Sequence, residues 1–409
     1  MPPDNSGSLA GASWKVALSV TLLMQTVAAF LNQGVPVLAP LLTGSAGLPP
    51  EAAGHLSALG TLGVLVFLIL GGPILARLGP VRTLQAGALI GAAGMALASL
   101  GGTIALAAAS VMIGLGYGPT PPAGSRILAA TAPPRHRSLI FSIKQAGAPL
   151  GGMIAGLVLA PVAVAWGWPG ALALAVGIAV VSALVIQPSR ASLDVEREPD
   201  RPVGMRALFS RRNIVGPFAA LRLHPLLTPL TALACSLATV QGCFFAFAVT
   251  WLTETHGMTL VEAGMVFAAM QAGGVLARVV LGWAADRTGN AAMNLIGQGL
   301  GGAAVVAVFV LLPPLGFLPT LAIGGLAGSL VASWNGIYQA EVARLSPPGR
   351  IAEATAGSST LCFLGYLIPP AIFATLVTLT GSWLLPQLLA AGQLLVVALL
   401  VLPRLRRGG

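Results

Sequence analysis

Residues 260–289 read LVEAGMVFAAMQAGGVLARVVLGWAADRTG. The part from 260 to 284 is mostly apolar and longer than the about 20 residues that an α-helix needs to cross a bilayer. It is followed at once by Asp286 and Arg287 and by Gly289, which is typical of a short turn outside the membrane. This stretch therefore predicts a transmembrane helix with a charged loop behind it.

The rest of the chain has the same character. Of its 409 residues, 56% are hydrophobic and 8% are charged, compared with about 25% charged residues in soluble domains. Its mean hydropathy is +0.89, so lipid must be the solvent for most of the surface. We predict an all-α integral membrane protein with twelve spans, at residues 16–38, 52–76, 81–100, 103–130, 139–164, 169–187, 226–252, 260–284, 291–313, 316–343, 352–379 and 384–403.

Lysine and arginine fall on one side of these spans. If the loops alternate between the two sides, one side receives Lys15, Arg77, Arg82, Arg135, Arg137, the arginines between 190 and 222, Arg287, Arg344, Arg350, Arg404, Arg406 and Arg407. We call this side the basic face and the other side, whose loops have neither residue type, the charge-poor face. The positive-inside rule predicts that the basic face and both termini are cytoplasmic. The net charge of +10 is thus a feature of topology and no sign of a nucleic-acid partner.

Two segments recur at equivalent places in the chain. Residues 72–79 after span two correspond to 282–289 after span eight, and 132–135 before span five correspond to 346–349 before span eleven. Such a repeat indicates two parallel halves around a cavity at the membrane midplane.

The only long polar stretch separates these halves. We predict a first six-helix bundle over 1–187, a cytoplasmic linker over 188–225 with a short helix near 205–212, and a second six-helix bundle over 226–409. About 38 residues are few for an independent hydrophobic core, which favours a linker over a small soluble domain.

With twelve spans, a 6+6 division and a G-x-x-x-D-R-x-G loop, the chain resembles the major facilitator superfamily. The second half matches the loop at Gly282, Asp286, Arg287 and Gly289, whereas the first half has Ala76 in place of the acid. The resemblance implies two pseudo-symmetric six-helix bundles and a latch on the cytoplasmic side. The predicted latch residues are Gly72, Arg77, Gly79, Asp286, Arg287 and Gly289.

Arg278 is the strongest candidate for substrate binding. It precedes Asp286 by eight residues, about 12 Å along the helix, and a guanidinium at that depth costs several kcal/mol unless it is paired. No acidic residue occupies the middle of a predicted span, so a substrate anion would supply the missing charge. The alternative is that Arg278 binds helix carbonyls or a cytoplasmic acid. By resemblance, the monocarboxylate and oxalate/formate porters place an arginine similarly.

Four other charged residues lie near the cytoplasmic ends of the predicted spans. Lys144 and Arg126 either pair with Glu341 or Glu353 as a gate, contact the substrate, or extend their charged ends to water. A carboxylate at Glu353, where span eleven opens, would also complement the helix N-terminus.

Neutral polar and aromatic residues complete the predicted binding site. A small organic anion needs one strong cation, several neutral donors and an apolar wall. Beside Arg278, the predicted substrate-binding residues are Asn32, Gln33, Gln241, Trp334, Asn335, Tyr338, Ser359 and Tyr366. The alternative for each of them is helix packing, which uses the same residue types.

These patterns favour a transporter and disfavour an enzyme, because the spans have no histidine or carboxylate cluster and the chain has no phosphate-binding lysine loop. We expect a secondary active transporter that moves a small organic anion, a monocarboxylate or related acid, by proton symport or anion exchange. The alternative is a permease for efflux of neutral or amphipathic compounds. We expect a monomer in a bacterial inner membrane, with a small-molecule substrate and optionally protons as partners, and with no cofactor, metal or nucleic acid.

Overall fold

The computed structural model describes residues 13–133, 137–195, 197–209, 219, 221–347 and 351–408. The side chains of two predicted gating residues, Asp286 and Glu353, also lie outside the described part. Every regular element in the described ranges is a helix, which confirms the predicted all-α class.

Helices of the first half are Trp14–Ser45, Ala52–Leu70, Gly72–Leu78, Pro80–Ala98, Thr103–Tyr117, Thr120–Thr131, Arg137–Gln145 and Gly147–Val185. The linker has a 3₁₀ turn and two short helices, Gln187–Ser189, Arg190–Leu193 and Met205–Leu208. The predicted linker helix near 205–212 is thus described over its first turn only, because 210–218 lie outside the described residues. Helices of the second half are Leu227–His256, Leu260–Thr288, Ala291–Leu311, Phe317–Ala332, Trp334–Leu345, Ile351–Thr380 and Leu384–Gly408.

Eleven helical stretches of the described chain are long and apolar enough to cross a membrane. One of them, Ile143–Leu193, has 51 residues, about 75 Å of helix against a hydrocarbon core of about 30 Å. It turns back at Gly167, where φ is +73°, a conformation that glycine adopts without a steric penalty. This stretch is therefore spans five and six, and the predicted twelve spans are confirmed.

Besides span two, which is interrupted at Gly71, three spans of the described chain are broken. Span four is interrupted between Tyr117 and Thr120, span five at Ala146 and span ten at Ser333. The first break coincides with Gly118 and Pro119, and proline favours an interruption because it has no N–H to donate. Each break leaves backbone carbonyls without their intrahelical donors, and these carbonyls become available to side chains.

Three pairs of spans contribute most to the contact between the halves, namely five with eight, two with eleven and one with seven. Spans five and eight approach with their backbones in contact, since a Cβ added to Gly156 would lie 2.5 Å from the carbonyl oxygen of Gly264. Further toward the basic face, Gly152 leaves room for the buried side chain of Gln271. Small residues allow such close packing between membrane helices.

Spans two and eleven form the second contact between the halves. A Cβ added to Gly54 would lie 2.6 Å from the Pro370 carbonyl oxygen and 2.1 Å from the Phe247 ring. Phe247 stacks on Phe373 with ring centroids 4.1 Å apart, and Trp383 packs edge-on against it. These aromatic rings close the space between the halves near the charge-poor face.

The linker is attached to the first half by Asp194. Its carboxylate accepts the backbone N–H groups of Val81 at 2.7 Å and Arg82 at 3.2 Å, and it lies 3.5 Å from Arg190. Burial raises the pKa of this carboxyl, while the two N–H donors lower it. Gly79, with φ +86°, leaves room for the carboxylate, because a Cβ there would lie 2.6 Å from the Asp194 carboxyl carbon. Asp194 thus caps the N-terminus of span three. The loop before this helix has Ala76 where the second-half motif has an acid.

Candidate functional site

The guanidinium of Arg278 lies between the breaks of spans five and ten. Its Nε and Nη2 donate to the carbonyl oxygen of Ala332 at 3.3 and 3.1 Å, and its Nη1 donates to the carbonyl oxygen of Gln145 at 3.1 Å. Both acceptors are the last residues of their helices. A helix C-terminus has a partial negative charge, so each break contributes a favourable but neutral partner.

No ion pair among the described side chains includes Arg278. The alternative of helix carbonyls as partners is therefore the one observed in this structure. Three of the five guanidinium N–H donors are engaged in these bonds, which leaves two N–H groups for a further acceptor. A half-buried cation with carbonyl partners and spare donors remains able to bind an anion.

A second cation lies on the other side of Gln145. Lys144 is only 2% exposed, and its Nζ donates to the side-chain Oε1 of Gln145 at 3.3 Å. Its aliphatic stem lies across Gly124 of span four, where a Cβ would come within 2.6 Å of the lysine Cε. One residue, Gln145, therefore holds two cations, Arg278 by its main chain and Lys144 by its side chain.

A cavity of about 90 Å³ lies between the halves on the charge-poor side of the cations. Its walls come from spans one, two, four, seven and eleven. Seven polar side chains line it, namely Asn32, Gln33, Ser57, Thr61, Ser110, Gln241 and Tyr366. Neutral donors and acceptors of this kind fix the orientation of a small polar ligand.

Hydrogen bonds connect the second-half wall of this cavity to the break in span ten. Gln241 Oε1 accepts from the Trp334 indole at 2.9 Å and from the Tyr366 hydroxyl at 2.7 Å. Asn335 also hydrogen-bonds Tyr366. Tyr366 is close enough to Arg278 to interact with it electrostatically, so it joins the cavity to the cation.

The first half has a matching pair of residues. Gln25 on span one donates through Nε2 to the Tyr117 hydroxyl at 2.9 Å, and Tyr117 is the last residue before the break in span four. Tyr117 also interacts electrostatically with Arg278. In both halves, a glutamine from the first span thus holds an aromatic residue at the break of the fourth.

The sequence model of the Major Facilitator Superfamily matches residues 21–370. The chain belongs to the major facilitator superfamily. This membership confirms the resemblance that the twelve spans and the loop motif indicated. The finer likeness to monocarboxylate and oxalate/formate porters stays a prediction.

Three relatives and one solved structure extend the comparison. An uncharacterized MFS-type transporter of Mycobacterium tuberculosis (strain CDC 1551 / Oshkosh) is 27% identical over 282 residues, which cover 68% of this chain and only 60% of the relative. A gallate transporter of Pseudomonas putida is 26% identical over 301 residues, covering 66% of this chain and 65% of the relative. A gentisate transporter of Corynebacterium glutamicum is 29% identical over 209 residues, covering 47% and 43%. A peptide transporter POT in complex with sulfate has a TM-score of 0.77 at 18% identity over 99% of both chains, which shows the major facilitator fold.

Four predicted substrate-binding residues lie on the wall of the cavity between the halves. Asn32, Gln33, Gln241 and Tyr366 all line it. Ser359 is half-buried on span eleven, outside the cavity wall.

Two predicted aromatic ligands are instead packed in the second half. Trp334 is fully buried and Tyr338 is 2% exposed, and the Tyr338 hydroxyl donates to the Thr231 hydroxyl at 3.0 Å. Their rings lie 5.8 Å apart and tilted. Helix packing, the alternative raised for these residues, describes them in this structure.

The predicted latch loops are described in part. Arg287 is exposed, and its guanidinium carbon lies 5.3 Å from the centre of the Trp283 ring, a cation–π contact. Gly289 ends span eight with φ +64°. Arg77 and Gly72 are exposed at the matching loop of the first half. The side chain of Asp286 lies outside the described part.

The expected ion pair between Lys144 and Glu341 is not the one observed. Glu341 accepts two hydrogen bonds, at 2.8 and 2.6 Å, from Arg344 one turn along the same helix. These hydrogen bonds raise the pKa of the Arg344 guanidinium. A partner three residues away is always within reach on a helix, whereas a partner across the cavity must be brought there by packing. Arg126 is half-buried, and Glu353 lies outside the described side chains.

Five site residues were missed by the sequence analysis. Ser57, Thr61 and Ser110 line the cavity, while Tyr117 and Gln145 hold the helix breaks. Tyr117 has a local signal, because the following Gly118-Pro119 pair interrupts a helix. Small hydroxyl side chains give no such signal, since in membrane helices they also bond their own backbone.

Proposed function

We propose that this protein is a secondary active transporter that moves a small hydroxylated monocarboxylate across the membrane by alternating access. The observation that carries the proposal is Arg278, whose described partners are backbone carbonyls and no carboxylate. A substrate carboxylate would supply the missing negative charge through the two remaining N–H donors. Charge-assisted bonds of this kind are about twice as strong as neutral ones.

The polar cavity supports a substrate that carries hydroxyl groups as well as an acid. Amide and hydroxyl partners are offered on opposite walls by Asn32, Gln33, Gln241 and Tyr366. Tyr366 is also close enough to the Arg278 guanidinium to interact with it electrostatically. Gentisate and gallate, named for two relatives, are aromatic carboxylates with two or more hydroxyls. Gallate has all its hydroxyls on the side of the ring away from the carboxylate, and gentisate has one hydroxyl beside the carboxylate and one across the ring from that hydroxyl.

The position of Arg278 supports a link between binding and movement. Its guanidinium joins a carbonyl of the first half, at Gln145, to a carbonyl of its own half, at Ala332. A carboxylate would compete with these neutral acceptors and weaken the link between spans five and eight. In this proposal 1–187 and 226–409 rock against each other, with 188–225 as the linker and the basic face toward the cytoplasm, driven by proton symport or anion exchange.

A binding experiment with a matched pair of probes tests the proposal. Purified protein is titrated with gentisate and with 2,5-dihydroxybenzamide, its uncharged analogue, and the melting temperature is recorded. We expect stabilisation by the acid alone. Arg278→Gln should weaken gentisate binding about 10- to 100-fold, the loss of a hydrogen bond to a charged group, while Arg404→Gln at the exposed end of span twelve should bind normally.

The opposite results are equally clear. Equal stabilisation by the acid and the amide would show that charge does not select the substrate. Stabilisation by lipophilic cations, together with drug resistance on overexpression, would favour the alternative of efflux of neutral or amphipathic compounds.

A further inference from the structure

Lys144 is a buried amine with one neutral partner. It is 2% exposed, and no ion pair among the described side chains includes it. Its stem crosses Gly124 of span four, the span that also carries Arg126, and Arg278 of span eight bonds the main chain of the next residue, Gln145. Burying a charge without a counter-charge is costly, and the one described partner of the Lys144 ammonium group, the Gln145 side chain, is neutral.

Gln145 provides the acceptors for both cations of this corner. Its main-chain oxygen accepts from Arg278 at 3.1 Å and its side-chain oxygen accepts from Lys144 at 3.3 Å. One residue thus presents two neutral oxygens to two cations, as a bridging carboxylate would present two charged ones. The difference is charge, because an amide oxygen is neutral and forms the weaker bond.

We propose that Lys144 is a second anion-binding side chain of the transporter, and that Gln145 is a resident acceptor whose place at Lys144 the substrate carboxylate takes. The carboxylate would then bridge Lys144 and Arg278 across the break in span five. This inference rests on the proposed function, since it names a second contact for the same acid. The proposal also explains why position 124 is a glycine, because the stem of Lys144 crosses span four where a Cβ would collide with it.

The bridge adds a condition to substrate selection. Lys144 belongs to span five of the first half and Arg278 to span eight of the second. A bridging carboxylate would therefore be held by both halves at once, whereas an uncharged analogue would meet neither cation. The free energy of binding the carboxylate would thus favour the conformation in which spans five and eight hold it together, and so shift the equilibrium between the conformations of the transport cycle.

Three variants of the purified full chain test the inference with gentisate as the probe. Lys144→Met keeps the length of the stem and removes the charge, and we expect gentisate affinity to fall about 10- to 100-fold. Gln145→Glu places a permanent carboxylate beside both cations, and we expect the stabilisation by gentisate to disappear while the protein stays folded. Lys15→Met, at an exposed lysine, should bind as the wild type does.

The outcomes separate this inference from the proposed function. If Arg278→Gln loses gentisate and Lys144→Met binds it as tightly as wild type, the proposed function stands and the second contact is wrong. If the wild type fails to bind gentisate or any related hydroxy acid, both fall together. Lys144→Arg keeps the cation, and recovery of binding to within a few-fold of wild type would distinguish an anion contact from a packing role; loss equal to that of Lys144→Met would contradict it.

Discussion

Two of the pairs of spans that join the halves differ in charge. Where spans five and eight meet, Gln145 accepts hydrogen bonds from Arg278 and from Lys144. Between spans two and eleven the closest contacts are those of Gly54 with Phe247 and with the Pro370 carbonyl. We call the contact of spans five and eight the polar seam and that of spans two and eleven the apolar seam. We infer that substrate chemistry belongs to the first seam and closure of the charge-poor face to the second.

The internal repeat shows how this asymmetry arises. Counted from the loop glycines Gly72 and Gly282, the counterpart of Arg278 in the first half is Leu68. Counted from the proline pairs before spans five and eleven, the counterpart of Lys144 is Ser358. Each half thus has one cation where the other has a neutral residue. Because span five packs on span eight and span two on span eleven, both cations fall in the same seam.

The two halves nevertheless share the framework that surrounds the seams. Gln25 holds Tyr117 at the break of span four, and Gln241 holds Trp334 at the break of span ten. Matched bonds of this kind keep the two breaks at equivalent depths. The pseudo-symmetric framework places the site, and the unmatched cations give it its charge.

The largest expected effect comes from making the polar seam like the apolar one. Arg278→Leu puts the residue of the first-half counterpart into span eight. This substitution removes the charge and leaves the carbonyls of Gln145 and Ala332 without donors. We therefore expect gentisate uptake into proteoliposomes to fall at least about 100-fold, the size of effect that follows from losing a charged hydrogen-bonded contact. The melting temperature should also fall.

The converse substitution is the control for this comparison. Leu68→Arg adds a cation to span two, which packs on span eleven in the apolar seam. We expect no gain of anion binding and a protein of lower stability. Uptake that survives Arg278→Leu, or moves to depend on a cation at position 68, would contradict the assignment of chemistry to the polar seam.

The spans and the depth of Arg278 could be predicted from the sequence, because both depend on hydropathy and on the rise of a helix. Helix carbonyls were one of the predicted alternatives for Arg278, but which carbonyls it binds could not be predicted, because this depends on how spans five, eight and ten pack. The expected pairing of Lys144 with Glu341 was wrong for a related reason. Arg344 is fixed one turn from Glu341 by the helix itself, and local geometry prevails over a partner across the cavity.

A smaller effect is expected from widening the polar seam. Gly156→Val places a side chain where a Cβ already lies 2.5 Å from the Gly264 carbonyl oxygen. Overpacking of this kind costs about 1–3 kcal/mol, so we expect a lower melting temperature and slower uptake. Gly177→Val on span six is the matched control, because no atom lies within 4 Å of a Cβ there. Equal behaviour of the two variants would mean that the halves are not in contact at Gly156.

The smallest expected effect lies at the charge-poor end of the apolar seam. Thr378 on span eleven donates to the Glu51 carboxylate at 2.8 Å, and both side chains are exposed to solvent. Thr378→Val should cost less than about 1 kcal/mol, as for other exposed polar contacts, and change uptake less than about two-fold. Thr375→Val is the control, because Thr375 bonds only the carbonyl of its own helix at Ala371. A loss of uptake at Thr378 comparable to that of Arg278→Leu would move the decisive contact from the polar seam to the apolar one, since no other property distinguishes the two threonines.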